Sequence, residues 1–140
     1  MKHTLIFLLI AFFYSCSDDT SHQLNGQWQL KTIEYPDGNT SRVDTIYYSF
    51  QKQTVFAFTH LINPEAASLS YGYLDFPSDS EVCISMDTQK DNEGNFINII
   101  NDFLEISGWN DYSQTFNIQK VNGSNLVLIH NDTIYSFKRF

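Results

Sequence analysis

LNGQWQLKTIEY, residues 24–35, alternates apolar and polar side chains from its tryptophan onward. Successive side chains of an extended strand point to opposite faces, so Trp28, Leu30 and Thr32 are expected to share one face. Asp37-Gly38 follows at once, and that dipeptide is a strong signal for a tight hairpin turn. A strand that folds straight back on its neighbour points to an antiparallel architecture.

The same period recurs downstream. TIYYSF sets Ile46, Tyr48 and Phe50 opposite Tyr47, Ser49 and Gln51. VFAFTH puts Phe56, Phe58 and His60 on one side, and Asn63-Pro64 ends the run. SLSYGYLDF aligns Leu69, Tyr71 and Tyr73 before Pro77, and EVCISM sets Val82, Ile84 and Met86 against Glu81, Cys83 and Ser85. TFNIQK, NLVLIH and TIYSFKRF complete the series, with Asn122-Gly123 and His130-Asn131-Asp132 as turns. One segment departs from period two. NFINIINDFLEI, residues 95–106, spaces Phe96, Ile99, Ile100, Phe103 and Leu104 by three, one, three and one, which predicts an amphipathic helix. Eight strands, short turns and one short helix predict an all-β domain over residues 25–140. An eight-stranded antiparallel up-and-down barrel is the economical closure, because it leaves no edge unpaired.

Ahead of this domain the chain changes character. Lys2 and His3 precede an apolar run from Leu5 to Phe13, and Ser15 is a small residue before Cys16. That is the three-part layout of a secretory signal peptide over residues 1–15. The apolar run is about half of the roughly 20 residues that a membrane-crossing helix needs. The cysteine placed directly after the small residue resembles the signal of bacterial lipoproteins, in which cleavage leaves cysteine first and its thiol takes a diacylglycerol. The Ser-Cys ending resembles those of lipoproteins from Bacteroides-type bacteria, although Phe13 stands where leucine is usual and Tyr14 is bulkier than usual. Acidic residues just after the cysteine mark surface export in that group, and Ser17, Asp18 and Asp19 resemble such a signal. The resemblance implies lipidation of Cys16, a polar tether over residues 16–24, and membrane contact through the N-terminal lipid. Localisation would be the outer membrane, facing the cell surface, with a periplasm-facing orientation as the alternative. With Cys16 lipidated, Cys83 is the one thiol left and no internal disulfide can form.

Charge and motifs narrow the function classes. Once Lys2 leaves with the leader, 16 carboxylates face 7 lysines and arginines, a net charge of −9. Such an excess repels nucleic-acid phosphates and anionic headgroups, so no nucleic-acid partner is expected. G-x-S-x-G, H-E-x-x-H, C-x-x-C and phosphate-binding glycine loops do not occur. Cys83 has the acidic neighbours Asp79, Glu81 and Asp87, the opposite of what activates a thiol. The acidic loop with Asp87, Asp91 and Glu93, aligned on Gly94 as a calcium loop, would place Gln89 and Ile100 at ligand positions that require carboxylates. The expectation is a non-enzymatic protein with no catalytic residues, no metal ligands and no cofactor. Asp44-Thr45-Ile46 and Asp132-Thr133-Ile134 resemble the short O-glycosylation acceptors of Bacteroides-type bacteria.

Gly26-Gln27-Trp28 in the first strand and Arg139 at the end of the last resemble the lipocalin signature. In lipocalins the basic side chain packs across the tryptophan and closes one end of the barrel, a cation–π contact. Together with FNIQKV, LVLIH and IYSFKRF, the pattern resembles lipocalin-like domain lipoproteins of Bacteroides-type bacteria over residues 24–140. One departure concerns the helix, which lipocalins place between the seventh and eighth strands and this sequence places before the sixth. The resemblance implies binding of a small hydrophobic or amphipathic ligand, with Trp28 and Arg139 as the barrel-closing pair. Eighteen of the 22 aromatic residues follow Cys16. Tyr48, Phe50, Phe56, Phe58, Tyr71 and Tyr73 either fill the barrel or line a cup open at one end, with His60 at its mouth. The alternative to ligand binding is an accessory lipoprotein acting through surface contacts with an outer-membrane protein partner.

Overall fold

The computed structural model describes residues 20–140. The sequence-based readings at Cys16, Ser17, Asp18 and Asp19, and the leader before them, lie outside the described residues. A helical turn α1 (Thr20–Leu24) leads into β1 (Gly26–Glu34), β2 (Thr40–Arg42), β3 (Ile46–Gln51), β4 (Val55–Asn63), β5 (Ala66–Ser78) and β6 (Glu81–Met86). A long connection carrying α2 (Phe103–Ser107) precedes β7 (Ser113–Val121), β8 (Asn125–His130) and β9 (Thr133–Arg139).

Every strand pair is antiparallel, and β1 pairs β9 through Trp28↔Arg139 to Glu34↔Ile134, which closes the sheet. The short β2 lies beside residues 32–34 of β1, while β3 lies beside residues 26–29 on the same edge. Those two segments therefore share one barrel position, and the barrel is eight-stranded. Tight turns hold the hairpins. Lys52-Gln53 and Asn131-Asp132 both have two successive positive φ values, the twist that matches right-handed strands.

Two sequence expectations are corrected in the strands. A bulge between Leu30 and Thr32 shifts the register of β1, so Ile33, not Thr32, is the third inward residue, 3% exposed. On β5 the inward positions are Ser70 and Gly72, both buried, which turns Leu69, Tyr71 and Tyr73 outward. A Cβ at Gly72 would stand 2.6 Å from the Ser85 carbonyl oxygen, so that inward position has no room for a side chain.

The expected helix over 95–106 is also corrected, because only Phe103–Ser107 is helical. Residues 95–101 hold three asparagines and three isoleucines, side chains that either compete for backbone hydrogen bonds or crowd a helical turn. Instead, Lys90 bridges Phe96, and Ile97 N–H donates to the Gln89 carbonyl at 3.0 Å. Gly108 ends α2 in the left-handed region at φ 74°, its N–H donating to the Leu104 carbonyl at 3.1 Å. The packed domain also starts a turn earlier than expected. Leu24 is fully buried and its carbonyl accepts the Trp28 indole N–H at 2.8 Å, so residues 20–24 belong to the fold and not to the tether.

Candidate functional site

The two barrel ends differ in construction. At one end, which holds α1 and both chain termini of the barrel, the Arg139 guanidinium carbon lies 4.1 Å from the Trp28 ring centroid. Its Nε, Nη1 and Nη2 donate to the carbonyls of Gly123, Asn25 and Gln23 at 2.9, 2.8 and 3.0 Å. The planar fork thus ties the β7–β8 turn to the entering chain. Gly26 is required beneath it, since φ is 122° and a Cβ there would stand 2.6 Å from Arg139 Nη1. This end is a fixed closure.

The other end is closed by the β6–β7 connection. Trp109, just past α2, is 3% exposed and reaches into the barrel. Its ring meets Phe103 at 5.2 Å, Phe116 at 5.4 Å, and Phe56 and Tyr48 at 6.2 Å each. The indole N–H donates to the Tyr48 hydroxyl at 2.8 Å, and burial holds the Tyr48 hydroxyl well above the ordinary tyrosine pKa. Phe103 packs edge-on against Phe58 at 4.9 Å.

The candidate ligand residues therefore separate. Tyr48, Phe50, Phe56 and Phe58 point inward, but each is at most 1% exposed and they fill the interior instead of lining an open cup. Tyr71 and Tyr73 are 51% and 61% exposed on the outer sheet face, so they leave the site altogether. His60 stands at the mouth, paired in register with Ser68. There a groove of about 470 Å³ is lined by His60, Ile62, Ser68, Ile99, Ile100 and Ile106, with Phe96 and Asn101 at its sides. Its far wall is the β6–β7 connection, pinned where Ile100 N–H donates to the buried Ser70 hydroxyl at 2.9 Å. Isoleucine walls lined also by a histidine, a serine and an asparagine suit a ligand with an apolar body and a polar tip.

Two further clefts lie at the closed end. One of about 600 Å³ is lined by Thr20, Ser21, Gln53, Asp75, Phe76 and Pro77 among others. The second, about 520 Å³, lies beside His22, Asn122 and Arg139. Neither gathers an apolar wall comparable to that of the mouth. Cys83 stands among hydroxyls, 3.8 Å from Ser113 Oγ and 4.0 Å from Ser85 Oγ. His130 Nδ1 is 2.8 Å from the Thr115 carbonyl oxygen. The Asp91 carboxylate accepts the N–H groups of Glu93 and Asn95 at 2.9 Å each and Asn95 Nδ2 at 3.1 Å, which holds its pKa below the ordinary value. Among the described residues no group of three His, Cys, Asp or Glu side chains is placed to hold a metal ion.

Trp109 is the residue that sequence periodicity missed, whereas Phe103 belongs to the apolar face of the expected helix and lies in α2. Gly108-Trp109 offered one signal, a bulky aromatic directly after a helix-stopping glycine and outside any alternating run.

The family model of the lipocalin-like domain matches residues 8–140. Among solved structures, a lipocalin-like protein from Bacteroides uniformis ATCC 8492 superposes with a TM-score of 0.70 at 25% identity, over 84% of this chain and 99% of that one. An uncharacterized protein from Bacteroides eggerthii DSM 20697 gives a TM-score of 0.68 at 27% identity, again over 84% and 99%. No curated protein matches the chain.

Proposed function

The chain belongs to the lipocalin-like domain family, and on that footing we propose that it is a non-catalytic binding protein for a small hydrophobic or amphipathic molecule. The ligand occupies the groove at the mouth, not the barrel interior. One observation carries this reading, the isoleucine-walled groove of about 470 Å³ that His60, Ser68 and Asn101 also line. Its volume falls within the range of roughly 300–1,000 Å³ that small-molecule sites occupy. Cys16 bears the lipid that tethers the domain to the outer membrane. Because only three residues separate Cys16 from Thr20, the closed end stands toward the bilayer and the mouth away from it.

Native mass spectrometry on protein gently extracted from its membrane tests the ligand, with the variant Ile62→Asp, at an exposed groove position, as control. A co-purifying lipid-like mass on the wild type that the variant lacks is the expected result. Wild type that arrives empty and binds no alkyl probe would sink the reading. A second reading draws on the outward row Leu69, Tyr71 and Tyr73, 47% to 61% exposed. An accessory role through an outer-membrane partner would use that face, and Tyr73→Ser would abolish the partner's capture while leaving ligand content unchanged.

A further inference from the structure

One cleft at the closed end reverses the charge of the chain around it. Its volume is about 520 Å³, and His22, Gln23 and Asn25 of the entering chain line it with Asn122, Gly123 and Arg139. Among the described residues no carboxylate lines it, in a chain of net charge −8. The surrounding elements are equally free of acid. Residues 20–33, 112–131 and 133–140 hold no Asp or Glu, and they carry Lys31, Lys120, Lys138 and Arg139. They supply α1, most of β1 and the whole of β7, β8 and β9. Asp75 and Asp79 line the other cleft of that end.

Arg139 brings an unneutralised charge to this cleft. Its bonds go to three neutral carbonyls, and among the described residues the ion pair is Lys31–Asp44. A guanidinium has five N–H groups, and these bonds use one each on Nε, Nη1 and Nη2. Each terminal nitrogen therefore keeps an N–H that can donate to a phosphate oxygen. Asn122 adds a second donor. Its Oδ1 accepts the N–H groups of Ser124 and Asn125 at 2.9 and 2.8 Å, which leaves its amide nitrogen to donate. The same end lies nearest the tether, since the chain from Cys16 to Thr20 spans at most about 14 Å. Phe140, 73% exposed beside Arg139, adds an aromatic ring suited to a membrane–water interface. We propose that this cleft is a headgroup site, in which the phosphate of a phospholipid in the tethering membrane sits against Arg139 and the Asn122 amide. This rests on the tether reading above and adds a polar contact that fixes how the barrel stands on the bilayer.

The test reconstitutes the whole protein into lipid nanodiscs of phosphatidylglycerol or of phosphate-free monogalactosyldiacylglycerol. Elution with the discs reads the tether, and the backbone amide resonances of Gln23, Asn122 and Gly123 read the cleft. Those amides should shift between the two lipids, while Gly94 and Asn101 at the mouth keep their positions. His22→Glu sets a carboxylate in the cleft without touching the Arg139 bonds, and it should abolish the shift. Identical cleft resonances in both lipids overturn the headgroup site and leave the tether standing. Inorganic phosphate that reproduces the shift in galactolipid discs would make the cleft a site for free anions and overturn its assignment to the lipid. Protein that elutes apart from the discs overturns the tether. The headgroup site then stands if dihexanoylphosphatidylglycerol shifts the same amides of the free protein, and falls if it does not.

Discussion

The two ends of the barrel reach the same result, a sealed interior, by different physics. The closed end uses one guanidinium across one indole and three backbone carbonyls, with a glycine cleared beneath it. The mouth end uses mass, since Phe103 and Trp109 drop from a long connection into a ring of strand aromatics. Directional polar contacts fix a geometry, whereas a hydrophobic plug fixes a volume. A barrel built this way is sealed rigidly where the chain enters and by removable bulk where its groove opens.

The largest expected effect comes from removing the plug. Trp109→Ala deletes the largest ring at the mouth and leaves the buried Tyr48 hydroxyl without its indole donor. A loss of about 3–5 kcal/mol is expected in urea unfolding. The vacated space should also admit an apolar probe to the interior, read as a new saturable signal from an anilinonaphthalene dye. A variant as stable as wild type would mean that the connection is not an energetic part of the core.

How much of this was legible in the sequence follows the same division. The closed end could be read because its residues have fixed roles at fixed places: Gly26 for clearance, Trp28 two residues on, Arg139 at the terminus. The strands could be read because half-buried strands keep period two. The outward turn of Tyr71 and Tyr73 could not, since a row of tyrosines looks alike on either face and the inward side is set by Gly72 against Ser85. The plug was hidden because its apolar spacing imitates a helix, while the backbone takes an irregular course that buries Ile99, Phe103 and Trp109 together. Local pattern gives period, and only packing tells which face is inside.

A smaller effect is expected at the closed end. Arg139→Ala removes three charge-assisted hydrogen bonds and the cation–π contact, at a loss of about 2 kcal/mol. Arg139→Lys should recover little of it, because an ammonium cannot reach three carbonyls in the fixed directions of the fork. Thermal unfolding of the two variants checks this. Full recovery by lysine would mean that charge over Trp28, not the fork, holds this end.

The smallest expected effect is local, and acid brings it out. The closure at Arg139 is made to backbone carbonyls and uses no carboxylate. The β6–β7 connection does have one in Asp91, whose carboxylate gathers the N–H groups of Glu93 and Asn95. A carboxyl with a depressed folded pKa contributes its stabilisation above the unfolded value of about 3.9 and loses it as pH falls through the lower folded value. Acidification below about pH 4 should therefore loosen the turn at Asn95 first, seen by NMR as a shift of its backbone and side-chain amide resonances. Resonances of Gln23, Asn25 and Gly123, whose carbonyls Arg139 holds, should stay in place over the same range. Asp91→Asn should remove the acid-dependent shift at Asn95, because no proton is then taken up there. Movement of both sets together would show that acid acts on the barrel as a whole and that the two closures are not independent.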